Sequence, residues 1–263
     1  MADNQLKIAT FNANSIRVRL PQILDWIERE QADVLAVQET KVRDEDFPTD
    51  DITDQGYHVV YRGQKSHAGV AVITREEPDD VTFGFDSDEN ADEVRLVRLK
   101  IQGVSVVNTY GPQGRDIEHE MFEYKLEWFD RLKRLFDRHH DPVDDLIWLG
   151  DMNVAPEPID IYDPDRHAEH VDFHPKVRER FHEACEWGFV DVFRKHHPDE
   201  PDQYTYYDYR ARDPVERGVG WRVDHILATG PLAERCTDAW IDREARLVER
   251  PSDHTFLVAV FDL

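Results

Sequence analysis

Nine apolar runs of five to eight residues, rich in Val, Ile and Leu, recur along the chain at 6–11, 33–39, 58–62, 69–74, 94–101, 104–110, 145–151, 221–228 and 256–261. They are bounded by Gly, Asp or Pro, so they read as β-strands. Between them, 19–30, about 116–140 and 175–188 carry apolar residues at i, i+3, i+4 and read as helices, with Gly188 placed to close the last as a C-cap. Runs 94–101 and 104–110 are separated only by Gln102 and Gly103, which predicts a hairpin. Hairpins mixed with crossover helices predict an α/β protein with mixed sheets, not a doubly wound parallel sheet. There is no repeat, low-complexity segment or linker, and one domain spanning 1–263 is expected. The acidic segments 44–51 and 86–93 read as exposed loops. Segment 156–175, with three prolines before residue 170, reads as a long excursion packed on the domain.

Charge constrains the partners. There are 56 acids against 32 bases, a formal net charge of -24, and the bases divide into 24 Arg and only 8 Lys. Such an acidic shell keeps a protein soluble when salt screens other charges, so adaptation to a salt-rich cytoplasm is expected. Taken alone it argues against a nucleic-acid partner, and local evidence must overturn that. No run approaches the roughly 20 apolar residues of a membrane span. The polar N-terminus leads straight into a strand, so no signal peptide, no membrane association and a cytoplasmic location are expected. Cys185 and Cys236 stand far apart without a CxxC, which excludes a disulfide framework or a zinc ribbon.

Several strands end on polar residues: Asn12; Gln38 and Glu39; Asn108, Thr109 and Tyr110; Asp151 and Asn153. A late strand carries Asp224, and Asp253-His254 precedes the last one. Any one of these is an ordinary strand-closing or capping residue. Acids and amides are poor strand formers, and burying a charge alone is costly, so their recurrence predicts one shared pocket holding a cation. Carboxylates and amides with one His suit a hard ion such as Mg²⁺ or Mn²⁺, and such ions act on phosphates. Asp224 with His254 can orient an imidazole for acid–base or phosphate-contact work. Strand alternation turns Val223 and His225 away from Asp224.

The segments FNANSIRVRL, QETKV, GQKSHAGVAVIT, NTYGPQG, GDMNVAP, GWRVD and PSDH, in this order, closely resemble the exonuclease III family of abasic-site endonucleases, within the DNase I-like endonuclease/exonuclease/phosphatase superfamily. The resemblance implies a four-layer α/β sandwich, with two mixed sheets face to face and helices outside. It implies hydrolysis of the phosphodiester 5′ to an abasic site in duplex DNA, leaving a 3′-hydroxyl. It also implies 3′–5′ exonuclease and 3′-end trimming at the same centre. By the same resemblance Glu39 is the main Mg²⁺ ligand, with Asn12 beside it and Asp253 close by, and Mn²⁺ is a substitute. Asp151 orients or deprotonates the attacking water, and Asn153 holds that water and the phosphate. Tyr110 and His254 contact phosphate, and Asp224 orients His254; whether His254 or Asp151 is the base stays open. The expected partner is double-stranded DNA with abasic sites or blocked 3′ ends, bound by a monomer.

Bases in the motif loops answer the charge objection. Arg17, Arg19, Lys41, Arg43, Arg62, Lys65, Arg115, Arg210, Arg212, Arg217 and Arg222 are expected to form a basic face on an acidic body. Of these, Lys41, Lys65, Arg115, Arg210 and Arg222 are the expected substrate contacts, with Tyr206 and Trp221 as walls of a sugar pocket. Lys125, Arg131, Lys133 and Arg134 lie on the helix at 116–140, away from any motif. Tyr206 and Tyr207 stand where relatives often carry Trp or Phe. The competing readings are another phosphodiesterase of the superfamily (a general nuclease, or a phosphoinositide or sphingomyelin hydrolase) and a catalytically silent DNA-binding relative. GWRVD and GQKSHAGVA argue against the first, and the complete polar set argues against the second.

Overall fold

The computed structural model describes residues 5–86 and 92–263. Its strands are β1 (Gln5–Asn12), β2 (Val34–Gln38), β3 (His58–Gln64), β4 (His67–Thr74), β5 (Asp79–Phe83), β6 (Leu96–Ile101), β7 (Val104–Tyr110), β8 (Leu146–Asp151), β9 (Phe189–Asp191), β10 (Asp224–Thr229), β11 (Cys236–Asp242) and β12 (Phe256–Asp262). The helices are α1 (Ile16–Glu30), α2 (Thr49–Thr53), α3 (Glu120–His139), α4 (Pro175–Cys185), α5 (Val192–His196) and α6 (Gly230–Glu234). Two six-stranded mixed sheets result, ordered β11-β12-β1-β2-β4-β3 and β5-β6-β7-β8-β10-β9.

Period-two alternation explains the layering. Leu6 and Ile8 of β1, Val34 and Ala36 of β2, and Val70 and Val72 of β4 meet Val104 and Val106, Ile147 and Leu149, and Ile226 between the sheets. The opposite faces take the helices. Ile23, Trp26 and Ile27 of α1 cover Ala9, Phe11, Leu35, Phe256 and Val258 of the first sheet. Phe122, Trp128, Phe129, Leu132 and Phe136 of α3, with Phe181 of α4, cover Val107, Leu146 and Trp148 of the second. The architecture is therefore helix, sheet, sheet, helix.

All nine sequence-read strands are present, though the run 221–228 begins as a strand only at Asp224. The hairpin closes Ile101 on Val104, with Gln102 (φ 50°) and Gly103 (φ 85°) both left-handed, as a tight two-residue hairpin loop demands. Edge strands β5, β9 and β11 were not legible, because their residues lack a run of alternating apolar positions. The helix read at 175–188, α4, stops at Cys185, not at Gly188, which instead lies in the following turn where a Cβ would meet Pro142 at 2.8 Å. Segment 44–51 is not a plain loop: Asp44–Asp46 forms a 3-10 turn, Asp44 accepts from the Gly63 amide at 2.7 Å, and α2 starts at Thr49. Of 86–93, residues 87–91 lie outside the described residues. Around them Asp86 pairs with Arg98, while Asp92 accepts from Tyr124 and Arg131.

Candidate functional site

The strand directions bring the polar ends together. β1 and β2 run parallel, as do β7 and β8, so the four C-terminal ends lie at one end of the sandwich. β10 and β12 run antiparallel to β8 and β1, so it is their N-terminal ends that arrive there. Alternation then continues each inward apolar row into a polar residue: Ile8 to Asn12, Ala36 to Gln38, Val106 to Asn108 and Tyr110, Leu149 to Asp151, and Ile226 back to Asp224. Between the sheets, the Gln38 Nε2 donates to Thr10 Oγ1 (2.9 Å) and to Asn108 Oδ1 (2.7 Å). Asn108 Nδ2 in turn donates to the carbonyl of Ala71 at 2.9 Å, so this buried network locks the two sheets in register below the site.

Above it, the Asn12 side-chain amide donates to both Asp151 Oδ2 (2.8 Å) and Glu39 Oε1 (3.1 Å), while its Oδ1 accepts the Asn14 amide at 2.9 Å. Tyr110 donates its hydroxyl to Glu39 Oε1 at 2.7 Å. Lys41 lies 2.5 Å from Glu39 Oε2 and also donates to Asn14, whose amide reaches Asp253 Oδ1 at 2.9 Å. Asp151 Oδ1 accepts the Asn153 backbone amide at 2.9 Å, and Asn153 Nδ2 donates to the Gly111 carbonyl at 3.0 Å. His254 Nδ1 meets Asp224 Oδ2 at 2.8 Å, and its Nε2 lies 3.8 Å from Asp151 Oδ2. Glu39 (φ 50°), Lys41 (φ 54°) and Asn153 (φ 52°) hold left-handed backbones, a strained conformation that turns their side chains into the site.

Burial opposes charge here, and the partners decide the outcome. Burial pushes Glu39 up, but Lys41 and the hydrogen bonds from Tyr110 and Asn12 outweigh it and hold the carboxyl below its usual range. Burial pulls His254 down, yet the charges of Asp224 and Asp151 raise it above an ordinary imidazole. Asp151 is raised by burial, against the charge of His254, and further by Asp224. Tyr110 is raised well above a free phenol by burial and by Glu39.

Two donor groups fit a hard cation. Glu39 and Asp253 both face the pocket. Asp151, Asp224 and His254 place ligand atoms within 4.8 Å of one another, and Asp224 Oδ1 is buried without a hydrogen-bond partner, as a site awaiting a cation would be.

A pocket of about 410 Å³ opens over these groups. Tyr206, Trp221, Val223 and Arg210 line it together with Gln113, Tyr162, His167, His170 and Asp172. The Tyr206 ring lies 5.0 Å from that of His254, and His170 packs on Trp221 at 4.6 Å. Trp221, 8 % exposed, lines this pocket. Excursion 156–175 supplies the facing wall, which the sequence did not reveal because it lacks periodicity. Val223 lines the pocket too, since the strand starts only at Asp224 and alternation does not govern the residues before it.

The expected substrate contacts divide. Lys65 is exposed in the β3–β4 turn and Arg115 in the loop after β7, both at the site end of their sheets. Arg210 is exposed and fully engaged with Asp208 at 2.7 Å; likewise Arg43 pairs with Glu45, Arg62 with Asp44 and Arg212 with Asp213. Lys41 is spent on Glu39. Arg222 is not a substrate contact: it is 1 % exposed, its guanidinium binding Asp160 at 2.7 Å and Asp191 at 2.7 Å beneath the pocket. Motif membership placed it on the DNA face, but two buried carboxylates claim it. Lys125, set aside as remote, is buried and bonds to three loops of the pocket rim. Its position was legible, since it shares the i, i+3, i+4 stripe of Phe122, Leu126 and Phe129.

Comparison with known proteins agrees with this geometry. Residues 9–254 match the model of the Endonuclease/Exonuclease/phosphatase family. The chain is 35% identical, over 97% of its length and 100% of the relative's, to exodeoxyribonuclease III of Haemophilus influenzae. It superimposes with a TM-score of 0.96 and 53% identity on an AP endonuclease from Archaeoglobus fulgidus, covering 98% of this chain and 100% of that one. With a 3′–5′ exonuclease from Neisseria meningitidis the TM-score is 0.92 at 35% identity, over 98% and 100% of the two chains. Six strand ends delivering one acid–amide–histidine cluster, in a chain with these relatives, settle the family: the chain belongs to the endonuclease/exonuclease/phosphatase family, in the group of exodeoxyribonuclease III and the AP endonucleases.

Proposed function

We propose that this DNA-repair nuclease uses Mg²⁺ to hydrolyse the phosphodiester 5′ to an abasic site in duplex DNA. The observation that carries the reading is the adjacency of two things. Glu39, Asn153, Asp253 and His254, backed by the buried Asp151 and Asp224, line a pocket that Tyr206 and Trp221 also line. A sugar without a base can turn into such a pocket, and aromatic walls pack on the deoxyribose face.

Glu39 and Asp253, with Asn12 fixing Glu39, would hold the metal, because both line the pocket where the phosphate would arrive and Glu39 is held ionised. When bound there, Mg²⁺ would supply charge neutralisation to the phosphoryl and leaving oxygens. Asp151 takes a proton from the attacking water, its two oxygens oriented by Asn12 and by the Asn153 amide. The water oxygen bonds to phosphorus, the P–O3′ bond breaks, the leaving oxygen takes a proton from solvent water, and the products are a 3′-hydroxyl and a 5′-deoxyribose phosphate. Asn153, through its second amide proton, and an imidazolium His254, steadied by Asp224, donate to the phosphate as its charge grows, and Tyr110 joins them when its hydroxyl turns from Glu39. Lys65, Arg115 and Arg210 contact the duplex backbone. An ion pair to an exposed arginine is screened by solvent and contributes little, so phosphate can replace Asp208 on Arg210. The same centre, with DNA ending at the pocket, trims 3′ ends. The protein acts as a monomer in the cytoplasm; among the described residues, no helix is long and apolar enough to cross a membrane.

A time course on a duplex with one abasic analogue, with Mg²⁺, with Mn²⁺ and with chelator, tests the reading. Metal-dependent incision 5′ to the lesion is expected. Failure to incise, or incision unaffected by chelation, sinks it.

A further inference from the structure

The helix α3 buries one charged side chain in an otherwise apolar face. Lys125 is 0 % exposed between Phe122, Leu126 and Phe129. Its ammonium donates to the carbonyls of Gln113 (3.1 Å), Asn153 (2.6 Å) and Val171 (3.0 Å), and to Asp172 Oδ1 (2.7 Å). An ammonium has three protons, so these four acceptors saturate it.

The acceptors sit on three loops: that following β7, that following β8, and the excursion leading into α4. Gln113, Asn153 and Asp172 each line the pocket. The loop after β7 is shaped to admit the lysine stem, since a Cβ on Gly114 (φ +95°) would meet Lys125 Cδ at 3.2 Å. Asn153 is held from both sides. Its amide reaches Asp151 Oδ1 at 2.9 Å, while its carbonyl binds Lys125, and its backbone is left-handed at φ 52°. Were filling the helix face the sole demand, an apolar residue of similar volume would meet it without the cost of burying a charge.

We infer that Lys125 is a positioning residue for the hydrolysis: its ammonium ties the three loops into one rim and thereby sets Asn153 against Asp151. This rests on the hydrolytic reading above. The role is geometric, and Lys125 itself touches no DNA.

The test uses Lys125→Met and the double variant Lys125→Met/Asp172→Asn, assayed on the abasic duplex well below each protein's own melting temperature. The single variant melts lower, because Asp172 is left buried without its cation, and the double variant recovers part of that loss. In both, kcat falls on the order of 10- to 100-fold, the scale of a small misplacement of reacting groups, while KM for the duplex stays near wild type. Wild-type kcat in the double variant, or a loss confined to KM, overturns the inference. So does the failure of both variants to give a cooperative melt, which makes Lys125 a structural residue alone. Lack of incision by the wild-type protein would instead remove the hydrolytic reading.

Discussion

At the scale of single residues, the site is a set of acids whose surroundings differ although their chemistry is alike. Glu39 is held ionised by Lys41, Tyr110 and Asn12, whereas Asp151 is raised by burial and by Asp224. That contrast separates a cation ligand from a group able to take up a proton. Asp151→Asn and His254→Ala are each expected to lower turnover by ~10²-fold or more, and near-wild-type incision by Asp151→Asn removes the assigned role. Glu39→Gln keeps the size and removes the charge, so Mg²⁺ titration of activity should shift to higher concentration while the melting curve persists. Trp221 belongs both to a small buried cluster with Ile161, Phe173 and Val223 and to the pocket wall. Its replacement by Ala should therefore cost less than the ~3–5 kcal/mol of a fully enclosed Trp, and the ratio of abasic to undamaged cleavage should fall. An unchanged ratio in a folded variant takes Trp221 out of the pocket.

At the scale of elements, the pocket floor is built on an ion network. Arg222 joins Asp160, at the end of the 3-10 turn Pro158–Asp160, to Asp191 at the end of β9, and Arg194 of α5 adds a second bond to Asp160 at 2.6 Å. Burial pushes both carboxyls up, but Arg222 outweighs it and holds them below the ordinary range. A carboxyl lowered in the folded state contributes stability that is fully present above its unfolded pKa, about 4, and is lost as pH falls through the folded value. Urea midpoints should therefore drop as pH falls below about 4. The drop should be shallower in Arg222→Met, where the largest of the charges that depress the two carboxyls is gone. That variant should also lose about 3–5 kcal/mol at neutral pH, the cost of breaking a buried pair by removing one partner. Equal pH slopes for the two proteins would show that the network does not carry this effect.

At the scale of the molecule, a net charge of -24 has to coexist with a DNA-binding end. Arg43, Arg62, Arg210 and Arg212 at that end are each held by a neighbouring acid, which is what an acid-rich surface does to loop arginines. Salt screens the self-repulsion of the body, so the melting temperature should rise from dilute buffer to molar KCl; a flat or falling curve rejects the salt-adaptation reading. Because exposed pairs must be broken before phosphate is bound, duplex affinity should fall only shallowly with salt.

The nine longer apolar runs, their alternation and the polar residues at the strand ends that meet at the site were written in the sequence, because period-two burial leaves its mark residue by residue; edge strands β5, β9 and β11 were not. The motif resemblance added the branch of the family. The sequence could not show that Arg222 points beneath the pocket, since that depends on Asp160 and Asp191, which lie 62 and 31 residues away. Nor could it show excursion 156–175 as a wall, because a segment without periodicity takes its shape from what it packs against. Lys125 lies between these cases. Helical spacing already put it on the buried stripe, but only the approach of three distant loops supplies the carbonyls that make a buried ammonium tolerable. Local pattern determines which face a side chain takes; long-range closure decides what it meets there.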